Sequence, residues 1–95
     1  MNNDDKTAIQ HFVDYIRIKT VQPDPDYDKA FEFLKSYANE LNLTYQKVQV
    51  TENRHVAILT WISETASSTE KSILLNSHID VVPVFPDNWS CDPFD

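Results

Sequence analysis

None of the 95 residues is glycine, where ordinary usage of about 7% would supply roughly six or seven. Phosphate-cradling loops, oxyanion turns and tight hairpins draw on glycine, because a residue without Cβ enters positive φ at no steric cost. No nucleotide-binding fingerprint is therefore available. The charge balance narrows the field further. A formal net charge of −7, with acidic residues spread along the chain and no basic cluster, argues against nucleic acid or an anionic membrane as partner.

At this length the chain is one domain at most, with room for a modest core. Met1–Lys6 is polar and acidic, and no apolar stretch long enough for a signal peptide or membrane span follows it. A cytosolic location is expected. The single cysteine, Cys91, cannot close an internal disulfide, which agrees with a reducing compartment. Without secretion, the glycosylation patterns at Asn42-Leu43-Thr44 and Asn88-Trp89-Ser90 carry no meaning.

Ile9, Phe12, Val13 and Ile16 recur at three- and four-residue spacing and predict an amphipathic helix from about Asp5 to Ile18. Arg17 and Lys19 fall near its end, where cations oppose the helix dipole favourably. Val21–Asp28, with Pro23 and Pro25 among aspartates, reads as a rigid loop. Asp24 is expected to cap the next helix and Pro25 to occupy its first position. Tyr27, Ala30, Phe31, Leu34, Tyr37, Ala38 and Leu41 form a second helical stripe ending near Asn42. Three strands follow: Thr44–Val50, then His55–Ile62 after a polar turn at Thr51–Arg54, and Ile73–His78 after a polar loop at Ser63–Lys71. That order predicts a mixed α/β layer architecture. The closing segment, Asn88–Asp95, has no element after it to cover Trp89 and Phe94, so the chain reads as an amino-terminal portion of a larger domain.

The third strand carries the chemistry. Ser72–Pro83 reads Ser-Ile-Leu-Leu-Asn-Ser-His-Ile-Asp-Val-Val-Pro. In an extended chain His78 and Asp80 point to one side, so Asp80 can accept one ring N–H of His78 and leave the other nitrogen for a metal or a proton. A run apolar on both faces suits a buried parallel strand, whose carboxyl end is where α/β folds place ligands. Spacing alone leaves open a plainer reading, a strand-end histidine satisfied by a local carboxylate. A Ser77–His78–Asp80 triad is excluded, because adjacent side chains in a strand diverge and a nucleophile must lie within about 3 Å of its base. Cys91 lacks any second thiol at metal spacing and is incidental. His11 and His55 have no metal partner at motif spacing. Asp24, Asp26 and Asp28 resemble a calcium-loop start, but Pro25 and the missing glycine and terminal Glu rule against it. Trp89, Pro93 and Phe94 are better suited to packing the loop than to lining a pocket.

Ser77-His78-Ile79-Asp80-Val81-Val82-Pro83, followed by Trp89-Ser90-Cys91-Asp92-Pro93-Phe94, resembles the first metal-ligand motif of the zinc-dependent amidohydrolases and peptidases that include aminoacylase and the carnosinase-type dipeptidases. Tyr15–Pro23 with Pro25-Asp26-Tyr27, and Ile58-Leu59-Thr60-Trp61, are more similar to aminoacylase than to its peptidase relatives. The likeness runs from about Phe12 to Phe94. It implies that His78 is a zinc ligand and that Asp80 is the catalytic-site carboxylate bracing it from behind. It also implies Zn2+ as cofactor, a zinc-peptidase-like mixed sheet flanked by helices, and a homodimeric full-length protein with an inserted dimerisation domain. The reaction implied is hydrolysis of small N-acyl-L-amino acids to a carboxylate and a free amino acid. The remaining metal ligands and the catalytic Glu of that family lie downstream of this segment, so these residues alone are expected to be inactive. Two alternatives are a related dipeptidase or carboxypeptidase, and a non-catalytic truncated product that binds a partner.

Overall fold

The computed structural model describes residues 1–95. It is a small mixed α/β arrangement of two helices, α1 (Asn3–Ile16) and α2 (Tyr27–Glu40), and two strands, β1 (Thr44–Thr51) and β2 (Arg54–Thr60), with a short 3-10 turn at Pro86–Asn88. The residues group into two compact bodies, one of residues 1–30 and 79–95, the other of residues 31–78.

In the first body, Asn2 caps α1 by accepting the Asp5 N–H at 2.7 Å, while Asp4 and Asp5 place negative charge against the positive end of the helix dipole. The helix starts and stops two residues earlier than its periodicity suggests. Its C-cap is Arg17, whose N–H closes on the Val13 carbonyl at 3.1 Å, and Ile18 then bonds Tyr15 at 3.2 Å in a tighter turn. Ile9, Phe12 and Ile16 remain exposed. Of the two cations expected near the end of α1, Arg17 is its C-cap and Lys19 lies beyond it, neither within the last turn. Arg17 pairs with Asp95 and Lys19 sits 5.7 Å above the Phe94 ring.

Beyond α1 the chain turns through buried Thr20 and is joined by a distant segment. Val81 donates its N–H to the Thr20 carbonyl and accepts the Gln22 N–H, each at 2.9 Å, making a one-residue parallel bridge between Val21 and Val81. The expected cap at Asp24 is also corrected. Asp26 caps α2, its carboxylate accepting the Lys29 N–H at 3.2 Å, so Pro25 lies just outside the helix.

In the second body, Phe31 and Ala38 are buried on α2, with Phe33, Leu34 and Tyr37 half-buried beside them. The helix ends in a left-handed residue. Asn42, at φ 56°, lets Leu43 donate to Ala38 at 2.8 Å while its own N–H bonds Asn39 at 3.2 Å. Glycine normally takes this position, and Asn is the side chain best able to replace it. Asn53, at φ 57°, does the same in the hairpin turn. β1 and β2 pair antiparallel from Thr44↔Thr60 to Thr51↔Arg54, with a register irregularity between Gln49 and Thr51. Because β1 begins at Thr44, Trp61 and Ile62 have no ladder position opposite them and fall outside β2.

The third expected strand does not form. Residues 73–78 have no regular structure, and Ile73, Leu74 and Leu75 are 90%, 86% and 90% exposed. A strand apolar on both faces is stable only when paired at its edges and covered on both sides. The sheet stops at two strands, neither of which pairs with this run, and nothing among residues 31–78 covers it. His78 consequently does not stand at a strand end.

Candidate functional site

Asp80 is held by residues that lie far away in sequence. Gln22 donates from Nε2 to Asp80 Oδ2 at 3.2 Å and to the Tyr27 hydroxyl at 3.3 Å, and all three residues are half-buried. The Val81 bridge fixes the peptide immediately after Asp80 to the same loop. A carboxylate can only accept, so the amide nitrogen of Gln22 must face it, in a charge-assisted bond stronger than a neutral one.

His78 is exposed. Ser77 turns its hydroxyl onto the His78 carbonyl oxygen at 3.3 Å, a local backbone contact with no nucleophilic geometry. The donor chemistry of His78 suits one position of a zinc shell, which takes imidazole nitrogen readily. The rest of a shell is not supplied within these residues, because nowhere do three His, Cys, Asp or Glu side chains come together as a metal-holding group. Asp24, Asp26 and Asp28 form no such group either, and Asp26 is engaged in capping and with Lys29.

The other two histidines are structural. His11 Nδ1 lies 2.7 Å from the Thr7 carbonyl one helical turn back, where it donates. His55 is half-buried edge-on to Phe31. Cys91 is an exposed free thiol. Phe94 is half-buried under Lys19, whereas Trp89 is 51% exposed. Burial raises the pKa of the Tyr15 and Tyr45 hydroxyls. No helix is long and apolar enough to cross a membrane.

Nothing in the sequence marks Gln22 and Tyr27 as neighbours of Asp80. Both fall in the aminoacylase-like stretch around Tyr15–Tyr27, but 58 residues separate Gln22 from Asp80.

No family model matches the chain. Over 88 residues, 93% of its length, it is 52% identical to aminoacylase-1 of Sus scrofa. It is 49% identical to aminoacylase-1 of Homo sapiens over the same share. Similarity to a probable carboxypeptidase S-like 1 of Dictyostelium discoideum is weaker, 29% across 87% of the chain and 18% of that protein. The chain is thus homologous to hydrolases of the aminoacylase kind. More particularly, its homologues at this level are aminoacylase-1 proteins, and the chain spans about 21% of the length of those it matches.

Proposed function

We propose that these residues form part of a zinc-dependent amidohydrolase that splits N-acyl-L-amino acids into a carboxylate and a free amino acid. The observation that carries this reading is the 52% identity to an aminoacylase-1 over a stretch that necessarily includes residues 8–88, and with them Ser77–Pro83. In this reading His78 contributes one zinc ligand and Asp80 braces it. Zinc bound there supplies a Lewis acid for the amide carbonyl and a water acidified to a pKa of about 7. The chain's own contribution is the His78 imidazole, together with the Asp80 carboxylate that the Gln22 amide already orients. The proposal includes a zinc-peptidase-like mixed sheet flanked by helices.

The test is turnover of N-acetylmethionine by the purified full-length protein, before and after chelation and zinc return, beside an unmodified dipeptide. Chelation-sensitive hydrolysis of N-acetylmethionine is expected. The 29% likeness to a carboxypeptidase-like protein makes a peptidase the second reading, and faster turnover of the dipeptide would select it. Turnover of neither substrate would sink both.

A further inference from the structure

We propose that Gln22 is a positioning residue for Asp80, setting the plane of its carboxylate; this rests on the reading of His78 and Asp80 given above. Three hydrogen bonds converge on this point. The Gln22 side chain donates to Asp80 Oδ2 at 3.2 Å, its backbone N–H donates to the Val81 carbonyl at 2.9 Å, and Val81 returns a bond to the Thr20 carbonyl at 2.9 Å. The two backbone bonds, anchored at buried Thr20, fix where the Asp80–Val81 peptide lies. They do not fix how the Asp80 carboxylate is turned about its own bonds.

That rotation is what the Gln22 amide controls. Its nitrogen is in turn placed by the Tyr27 hydroxyl, 3.3 Å away at the first residue of α2, so the amide is held between a helix start and the carboxylate. With Oδ2 turned to Gln22, the direction of Oδ1 is set as well. A carboxylate that braces a metal-bound imidazole acts through that direction, because the imidazole N–H donates well only within a narrow range of angles. A purely structural role for the side chain would duplicate what the backbone bridge already does.

Gln22→Met keeps the length and removes the donor. In the full-length protein it should lower zinc affinity, read by competition with a chelator, on the order of 10-fold or less, below the 10–100-fold of a residue touching the ligand itself. Turnover number should fall with KM unchanged, the mark of an interaction used in the transition state. Combined with Asp80→Asn, it should add no further loss, since Gln22 acts through Asp80. Gln22→Glu, which sets a carboxylate against Asp80, should move zinc affinity the same way and replaces the Met variant if that does not accumulate.

Unchanged zinc affinity in Gln22→Met, or losses that multiply with those of Asp80→Asn, overturns the positioning role alone. Failure of both Gln22 variants to fold while Asp80→Asn folds overturns it too, since Gln22 would then serve the fold. If Asp80→Asn changes neither zinc affinity nor turnover, the reading of the His78–Asp80 pair falls, and this role with it.

Discussion

The His55 imidazole meets the Phe31 ring edge-on, with centroids 6.2 Å apart and planes at 77°. The same ring lies 4.8 Å beneath the Lys47 ammonium, and the Tyr45 hydroxyl donates to the Phe31 carbonyl at 3.4 Å. One side chain of α2 therefore meets both strands of the hairpin. Phe31 is 6% exposed, and few other apolar side chains are buried at all.

Truncation at this point should be decisive. Phe31→Ala removes about 3–5 kcal/mol, while an ordinary domain has only about 5–15 kcal/mol in total. The variant is expected to lose the dispersed amide resonances of residues 44–60. A urea midpoint equal to that of the parent chain would show that the hairpin does not depend on this ring.

In a chain without glycine, the two left-handed positions at Asn42 and Asn53 offer a second test. Asn42→Ala keeps the Cβ and its steric cost at positive φ but removes the side-chain amide whose local hydrogen bonding lets Asn tolerate that conformation. It should cost about 1 kcal/mol. Asn42→Gly should be neutral or stabilising. Equal melting temperatures for the Ala and Gly variants would contradict the Asn42 geometry.

Both helices and the hairpin strands were legible to within about two residues, because their signals are local. Three- and four-residue spacing marks a helix whatever lies beside it. The failures share a physical origin, dependence on a distant partner. Ile73–His78 carries the composition of a covered strand, but composition says only that cover is wanted. The residue type of Trp61 suits a strand, yet the ladder stops at Thr60, because Leu43 donates its N–H to Ala38 at the end of α2 and leaves β1 to begin at Thr44. At the site, His78 and Asp80 could be found from their spacing and flanks. The contact of Gln22 with Asp80 could not, since no periodicity links residues 58 apart.

Alkaline pH should weaken the fold through two phenols. Burial raises the pKa of Tyr15 and Tyr45 in the folded chain above the ordinary value of about 10. The unfolded chain therefore loses these protons first as pH rises. The stabilisation is present in full below about pH 10 and is lost as pH climbs through the folded values. Tyr45→Phe should flatten part of that decline in a melting-temperature series from pH 8 to 11, and an unchanged slope would remove Tyr45 from the account.

The 95-residue chain by itself should not hydrolyse N-acetylmethionine with added zinc. His78 is exposed and no group of three metal-ligating side chains surrounds it, whereas a zinc site takes three or four protein ligands. Competition with a chelator should show at best weak binding. Turnover that scales with the purified chain, and disappears in a His78→Ala preparation made the same way, would refute this.

In the full-length protein, His78 and Asp80 should respond differently to removal. His78→Ala deletes a donor atom, so zinc at one site and hydrolysis should be lost together. Asp80→Asn keeps the imidazole and its contact shape but replaces an accepting carboxylate by a neutral amide. Zinc should still bind, with affinity or turnover lower by about 10–100-fold or more, if the carboxylate has the proposed role of fixing the tautomer and basicity of the ligand rather than touching the metal. Asp80→Ala should behave likewise. Metal analysis and turnover on the same preparations distinguish the two roles. Normal zinc content and normal turnover in His78→Ala would mean that Ser77–Pro83 is not a metal motif in this protein, and the hydrolase reading would have to be given up.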